Sequence, residues 1–158
     1  MLLDERTEFC DATALNTGGA ASYLVGDVID THGPEIGHAA GFNVTRDVGM
    51  GSGVWLVIQV ATTATSGGSA TAVFHLASDA QAAIATDGTA TYHFSTGAIA
   101  VASLTAGTVV ACVRLPSGTY ERYIGVLQTT AVAAFTAGAI DAFLTADPSR
   151  WRATANGI

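Results

Sequence analysis

Along most of the chain, apolar and polar positions alternate in short runs rich in Val, Ile, Thr and aromatic residues, and glycine-containing turns separate the runs. Eight runs read as strands: Ser22 to Asp30, Val54 to Thr62, Ser69 to Ala77, Ala90 to Phe94, Ala98 to Leu104, Thr108 to Leu115, Thr119 to Thr129 and Ala139 to Thr145. In the last of these, Ile140, Ala142 and Leu144 fall on one face while Asp141 and Thr145 fall on the other, the period-two pattern of a half-buried strand. Val54 to Ala61 is apolar on both faces apart from Gln59, which predicts a strand covered twice, either by a second sheet and a neighbouring subunit or by a long loop.

Helix is scarce. Only Asp79 to Ile84 offers a turn or two, with Ser78 or Asp79 as the N-cap. Leu115-Pro116-Ser117-Gly118 predicts a tight turn, because Pro presets φ and Gly tolerates a positive φ, and it is expected to join its flanking strands into a hairpin. Thr105-Ala106-Gly107 reads as a further turn, whereas Thr31 to Gly53 and Thr63 to Gly68 read as looser segments, the second an exposed loop tip. The expected architecture is all-β: a jelly-roll-like sandwich of about eight antiparallel strands with very little helix. It is expected to span residues 1–158 as one domain, with 1–21 as an N-terminal segment able to act as an interface arm and 147–158 as a C-terminal tail.

Composition changes the picture in one direction. Charged residues make up 12% of the chain and hydrophobic ones 49%, so much of the surface must be Ala, Thr, Ser and Gly, which is cheap to desolvate in a contact. There is no lysine, and six arginines stand against thirteen acids for a formal charge of −7. Phosphate backbones and anionic membranes both call for clustered cations, so no nucleic-acid partner and no membrane partner is expected. The apolar stretch from Ala98 to Val113 is interrupted by Ser103, Thr105, Gly107 and Thr108, too short a run for a membrane-spanning helix. Asp4 and Glu5 stand where a secretion signal would be basic, which predicts a chain made and kept in the cytoplasm. Cys10 and Cys112 have no metal-binding or Cys-x-x-Cys spacing and are expected to be reduced, small core residues.

No constellation for chemistry emerges. His32 and His38 straddle a Gly/Pro loop and His75 and His93 lie singly in strands, so neither a metal site nor a cofactor is expected. Asp4 with Glu5, and Asp27 with Asp30, read as solvated acids rather than a glycosidase pair. No Gly-x-Ser-x-Gly elbow occurs, and Gly49 to Gly53 precedes a strand instead of following one as a phosphate cradle would. The expectation is a protein that is not an enzyme. Tyr120, Arg122 and Tyr123 carry the residue types most enriched at binding hot spots, and a tail bearing Arg150, Trp151 and Arg152 must bury its tryptophan against something.

Three stretches taken together resemble the capsid cement proteins of tailed phages, the Bbp-type cement family. They are Leu2-Leu3-Asp4 with Thr7 to Ala12, Leu115 to Val126, and Thr136 to Leu144. The resemblance implies a structural virion protein, a jelly roll on the outer capsid surface that binds and bridges major capsid proteins and stabilises the head. It further implies a homo-dimer or homo-trimer, because such copies sit at local symmetry axes. The expected contact residues are Leu2, Leu3, Phe9, Tyr120, Arg122, Tyr123, Arg150, Trp151 and Arg152. The alternative is a jelly-roll receptor- or glycan-binding virion module, which would gather Trp55, Tyr92 or Tyr23 on one open face.

Overall fold

The computed structural model describes residues 7–31 and 53–148. Among the described residues, nine strands form two antiparallel sheets: β1 (Glu8–Ala14), β2 (Ser22–Asp30), β3 (Trp55–Ser66), β4 (Thr71–Asp79), β5 (Thr91–Ser95), β6 (Ile99–Ala100), β7 (Val109–Arg114), β8 (Tyr123–Ala131) and β9 (Phe135–Thr145). One sheet runs β1-β9-β3-β7, the other β2-β8-β4-β5, with β6 also pairing β4. The pairs β1·β9, β2·β8, β3·β7 and β4·β5 are the rungs of one long hairpin that has been rolled up, so that successive rungs fall in alternate sheets. That is the wrapping of a jelly roll, and it confirms the all-β sandwich the alternation predicts.

The interior is the set of inward positions of both sheets. Phe9, Leu56, Ile58, Phe74, Leu76, Ile124, Val126, Phe135 and Ile140 are buried in one cluster, together with Ala142 and Leu144. Each large side chain removed from water there contributes about 1.5 to 3 kcal/mol before its ordering entropy is charged. The alternation read in the last strand holds for its inner face, Ile140, Ala142 and Leu144 facing the core, and for Asp141, which turns outward and accepts from the Ala12 N–H (2.7 Å) and from Gln59 Nε2 (2.8 Å), but Thr145 and Phe143 on the outer face are buried as well, so this strand is not half-buried there. Strand β3 is buried on both faces from Leu56 to Val60, as its run, apolar but for Gln59, implies.

Several boundaries differ from expectation. Glu8–Ala14, read as part of an arm, is an intramolecular strand closing the first sheet against β9. Strand β3 continues to Ser66 instead of ending at Thr62, since Thr65 Oγ1 pairs with Thr136 Oγ1 (2.8 Å) and Ser66 Oγ donates to the Ala134 carbonyl (2.7 Å). The run Ala98 to Leu104 shrinks to the two residues of β6 and a 3-10 turn over Val101–Ser103. Residues 80–90 form no helix. The Asp79 carboxylate does accept backbone N–H groups, from Gln81 (3.1 Å) and Ala85 (3.0 Å), but it caps an open loop. Leu115-Pro116-Ser117-Gly118 joins β7 to β8 in the opposite sheet, so it is a crossing between sheets and not a hairpin. Cys10 is buried and its thiol is pushed up to about 12 by desolvation, whereas Cys112 is exposed on β7 and is no core residue.

Two glycines hold close approaches. Gly26, at φ +70, sits where a β-carbon would run into the Phe9 carbonyl, which lets β2 lie against β1 where the two sheets meet. On the outer face of the second sheet, a β-carbon at Gly125 would come within 2.6 Å of the Ile84 δ-methyl. Its absence lets the 80–90 loop lay Ile84 and Ala90 over Ala77 and Leu127, a small second core outside the sandwich.

Candidate functional site

Jelly-roll wrapping collects the connections at two ends. At one end lie 15–21, 67–70, 96–108 and 132–134, tied together by Thr130 N–H to the Ala21 carbonyl (2.9 Å), Val101 N–H to the Ala70 carbonyl (2.9 Å) and Ala106 N–H to Thr63 Oγ1 (2.9 Å). These four connections carry no Asp, Glu, Lys, Arg or His. The most polar side chain among them is Asn16, whose N–H donates to Gln128 Oε1 (2.9 Å) while Gln128 Nε2 donates to the Asn16 carbonyl (3.2 Å) and to Thr130 Oγ1 (2.8 Å). A fully buried glutamine thus anchors this end with its hydrogen-bonding groups satisfied. At the tip stands Val132, 76% exposed and at φ +70. A β-branched residue in that conformation is strained by about 1–2 kcal/mol, and glycine or asparagine is the usual occupant.

The other end collects the charge: Glu8, Asp30, Asp79, Asp87, Arg114, Glu121, Arg122 and Asp147 lie on its strand termini and loops. Here the structure places the hot-spot residues read from the sequence. Strand β8 begins only at Tyr123, so Tyr120 and Arg122 do not share a strand face. Tyr120 turns inward, stacks on His93 with ring centroids 3.7 Å apart, and donates its hydroxyl to the Pro116 carbonyl (2.9 Å). Burial pushes its phenol up to about 12. Arg122 grips Asp30 with two bonds, Nε to Oδ1 (3.0 Å) and Nη2 to Oδ2 (2.9 Å), and lies 4.9 Å from the centre of the Tyr123 ring. These residues fasten β8 to its neighbours, with Arg122 keeping an exposed flank.

Beneath them, the fully buried Ser78 hydroxyl accepts from the Glu121 N–H (3.1 Å), lies 2.8 Å from His93 Nε2 and donates to Glu121 Oε2 (3.3 Å). A nucleophilic serine needs a carboxylate that orients the imidazole and an open approach to its oxygen. Here the carboxylate accepts from the serine itself, and the oxygen is enclosed. The trio works as a clamp between β4, β5 and the 115–122 crossing.

A second polar chain, which sequence reasoning missed, runs across the outer face of the second sheet: Ser95 Oγ to His75 Nδ1 (2.6 Å), His75 Nε2 to Thr129 Oγ1 (3.0 Å), and Thr129 Oγ1 to Ser22 Oγ (2.7 Å). Tyr92, 39% exposed, stacks on His75 at 4.6 Å. The available signal was the Ser, His and Thr at outward positions of four different strands, but only pairing shows that they are neighbours. Burial lowers the pKa of both His75 and His93. Among the described residues, no three of His, Cys, Asp and Glu come together in a way that could hold a metal ion.

Phe9, expected at a partner contact, is 1% exposed and belongs to the core: the alternation that turns Glu8 outward turns Phe9 inward. Leu2, Leu3, Arg150, Trp151 and Arg152 lie outside the described residues. The aromatics that a sugar groove would gather are dispersed, with Trp55 in the first sheet, Tyr92 in the second, and Tyr23 bonding the Gly19 carbonyl (3.0 Å).

The Bbp16 family model matches residues 9–144, from the first strand through the last. No curated protein matches the sequence. The match covers most of the chain, which therefore belongs to the Bbp16 family.

Proposed function

We propose that this Bbp16-family chain is a capsid cement protein of a tailed phage, one that binds the outer surface of the head and bridges major capsid proteins. The observation that carries the proposal is the family match over 9–144, which is consistent with a phage-related structural protein and spans all nine strands but the first residue of β1 and the last of β9.

The distribution of charge supports the finer reading. Burying an unpaired ion in an interface costs several kcal/mol, whereas Ala, Thr, Ser and Gly give up their water cheaply. The end built from 15–21, 67–70, 96–108 and 132–134 can therefore be pressed onto another protein without stranding a charge, and in this proposal it faces the capsid. The ionised end then points to solvent, where net negative charge opposes non-specific aggregation. A formal charge of −7 without lysine suits a position outside a shell that holds DNA. Each copy supplies a modest contact, and copies linked as an oligomer at symmetry-related sites gain effective concentration without any new interaction.

The test is binding of the purified chain to expanded heads that lack their decoration, followed by sedimentation and electron microscopy. Saturation at a symmetry-fixed copy number, with heads made more resistant to disruption, is the expected result. A folded chain that leaves such heads bare would overturn the proposal.

A further inference from the structure

Backbone strain persists only where the surrounding structure leaves a residue no alternative, and strained residues gather where a protein meets its ligands. Among the described residues, two that are not glycine have a positive φ, Ala12 at 43 and Val132 at 70. Ala12 lies within β1, where its N–H donates to Asp141 Oδ1 (2.7 Å), so the fold itself uses that conformation. Val132 is different: its side chain is 76% exposed, so packing within the chain offsets little of the strain.

The backbone on both flanks holds Val132 in place. The Ala133 N–H donates to the Ala131 carbonyl (2.9 Å), closing a three-residue turn with Val132 at its apex. Ser66 Oγ donates to the Ala134 carbonyl (2.7 Å) and accepts from the Gly68 N–H (3.1 Å), which ties this turn to the 67–70 connection. Ala133 packs against the main core, and it lies so close to Gly68 that a β-carbon there would come within 2.9 Å of the Ala133 methyl. The isopropyl group is therefore raised on a rigid base. Tyr92, Val109 and Val132 are the large hydrophobic side chains exposed among the described residues, at 39%, 44% and 76%. Tyr92 rests on His75 and Val109 opens β7, whereas Val132 stands at the tip of the end whose four connections carry no charged side chain.

We propose that Val132 is the apolar anchor with which this end seats on the capsid, its isopropyl group entering a dry, uncharged socket in the outer surface of the capsid protein. The inference rests on the capsid reading above and deepens it, by naming the side chain that docks and the chemistry of the surface that receives it. A projecting, branched aliphatic group with few rotamers fits a concavity and loses little conformational freedom on entering it. Its burial takes apolar surface out of water, and the surrounding connections strand no ion when they are covered. A nucleic acid or an anionic membrane would call for cations around the anchor, and these connections have none.

The experiment is titration of the full chain and its variants onto undecorated expanded heads, with bound and free chain separated by sedimentation. Val132→Thr keeps the β-branched shape and the backbone strain but exchanges one methyl for a hydroxyl, which an apolar socket leaves without a partner. It is expected to melt as the wild type does and to lower the affinity for heads about tenfold. Val132→Gly removes side chain and strain together, and is expected to melt higher and to bind no better than Val132→Thr. Val109→Thr makes the same exchange at the other exposed valine and is expected to bind as the wild type does. Heads that take up wild type and Val132→Thr equally, or that lose Val109→Thr as readily as Val132→Thr, overturn the inference and leave the capsid reading standing. Heads left bare by the wild type overturn the capsid reading and the anchor with it.

Discussion

The two ends of the sandwich are made by the same wrapping and differ in what holds them. The ionised end is fastened by side chains: the Ser78, His93 and Glu121 clamp, the Tyr120 hydroxyl on the Pro116 carbonyl, and the two-pronged Arg122 to Asp30 pair. The uncharged end is fastened mostly by backbone hydrogen bonds between small residues, with Gln128 as its buried anchor and strain left at Val132. Small residues let loops approach one another and leave a surface that loses water cheaply. An end built that way gives up side-chain adhesives and keeps its freedom to be covered.

The comparison breaks first at Ser78. Ser78→Ala leaves the Glu121 N–H and its carboxylate without their shared partner, and chemical denaturation is expected to show a loss of about 2 kcal/mol. An unchanged midpoint would mean that the clamp adds nothing to stability. At the opposite tip, Val132→Asp should separate folding from docking, since aspartate tolerates a left-handed backbone. Its melting temperature should equal or exceed that of the wild type, while affinity for undecorated heads should drop at least about tenfold, or about 1.4 kcal/mol. Equal binding would remove this end as the docking end. Val132→Gly relieves the strain and is expected to stabilise the fold by about 1 kcal/mol, read as a rise in melting temperature.

Weaker effects are expected back at the ionised end. Arg122→Ala breaks a largely exposed pair, so the cost should stay below about 1 kcal/mol and fade in high salt; a larger, salt-independent loss would show that the pair is more than a surface contact. The smallest effect is that of pH. His75 and His93 are held neutral by burial, so their folded pKa values lie below the ordinary value of about 6.5 and the unfolded chain takes up protons first. Their contribution to stability is full above that pH and declines as pH falls through it toward the lower folded values. Melting temperature should therefore fall between about pH 7 and 5, and the decline should flatten when both histidines are replaced by glutamine. A slope unchanged by that double substitution would assign the effect to other groups.

The chain's own pattern carried most of the fold. β2 spans Ser22–Asp30, the run read from the sequence, and Ile140, Ala142 and Leu144 announced the inward face of β9, because successive side chains of a strand point to opposite faces. A composition low in charge pointed to an Ala-, Thr-, Ser- and Gly-rich surface that is cheap to desolvate, and the resemblance carried by three dispersed stretches led to the family that the match over 9–144 assigns.

Sheet partners, not local sequence, decided the rest. Thr63 to Ser66 looks like a loop until Thr136 and Ala134 lie beside it; Leu115 to Gly118 looks like a hairpin until β7 and β8 are found in different sheets. Phe9 reads equally well as anchor or core until β9 pairs with its strand. Residues 107 positions apart, Ser22 and Thr129, form one hydrogen-bonded row with His75, and four connections far apart in sequence form one uncharged end. Periodicity fixes which face of a strand is apolar, because that is a property of successive residues. Which strands become neighbours and which loops meet depend on how the hairpin rolls, and that is settled only when the two sheets close over their common core.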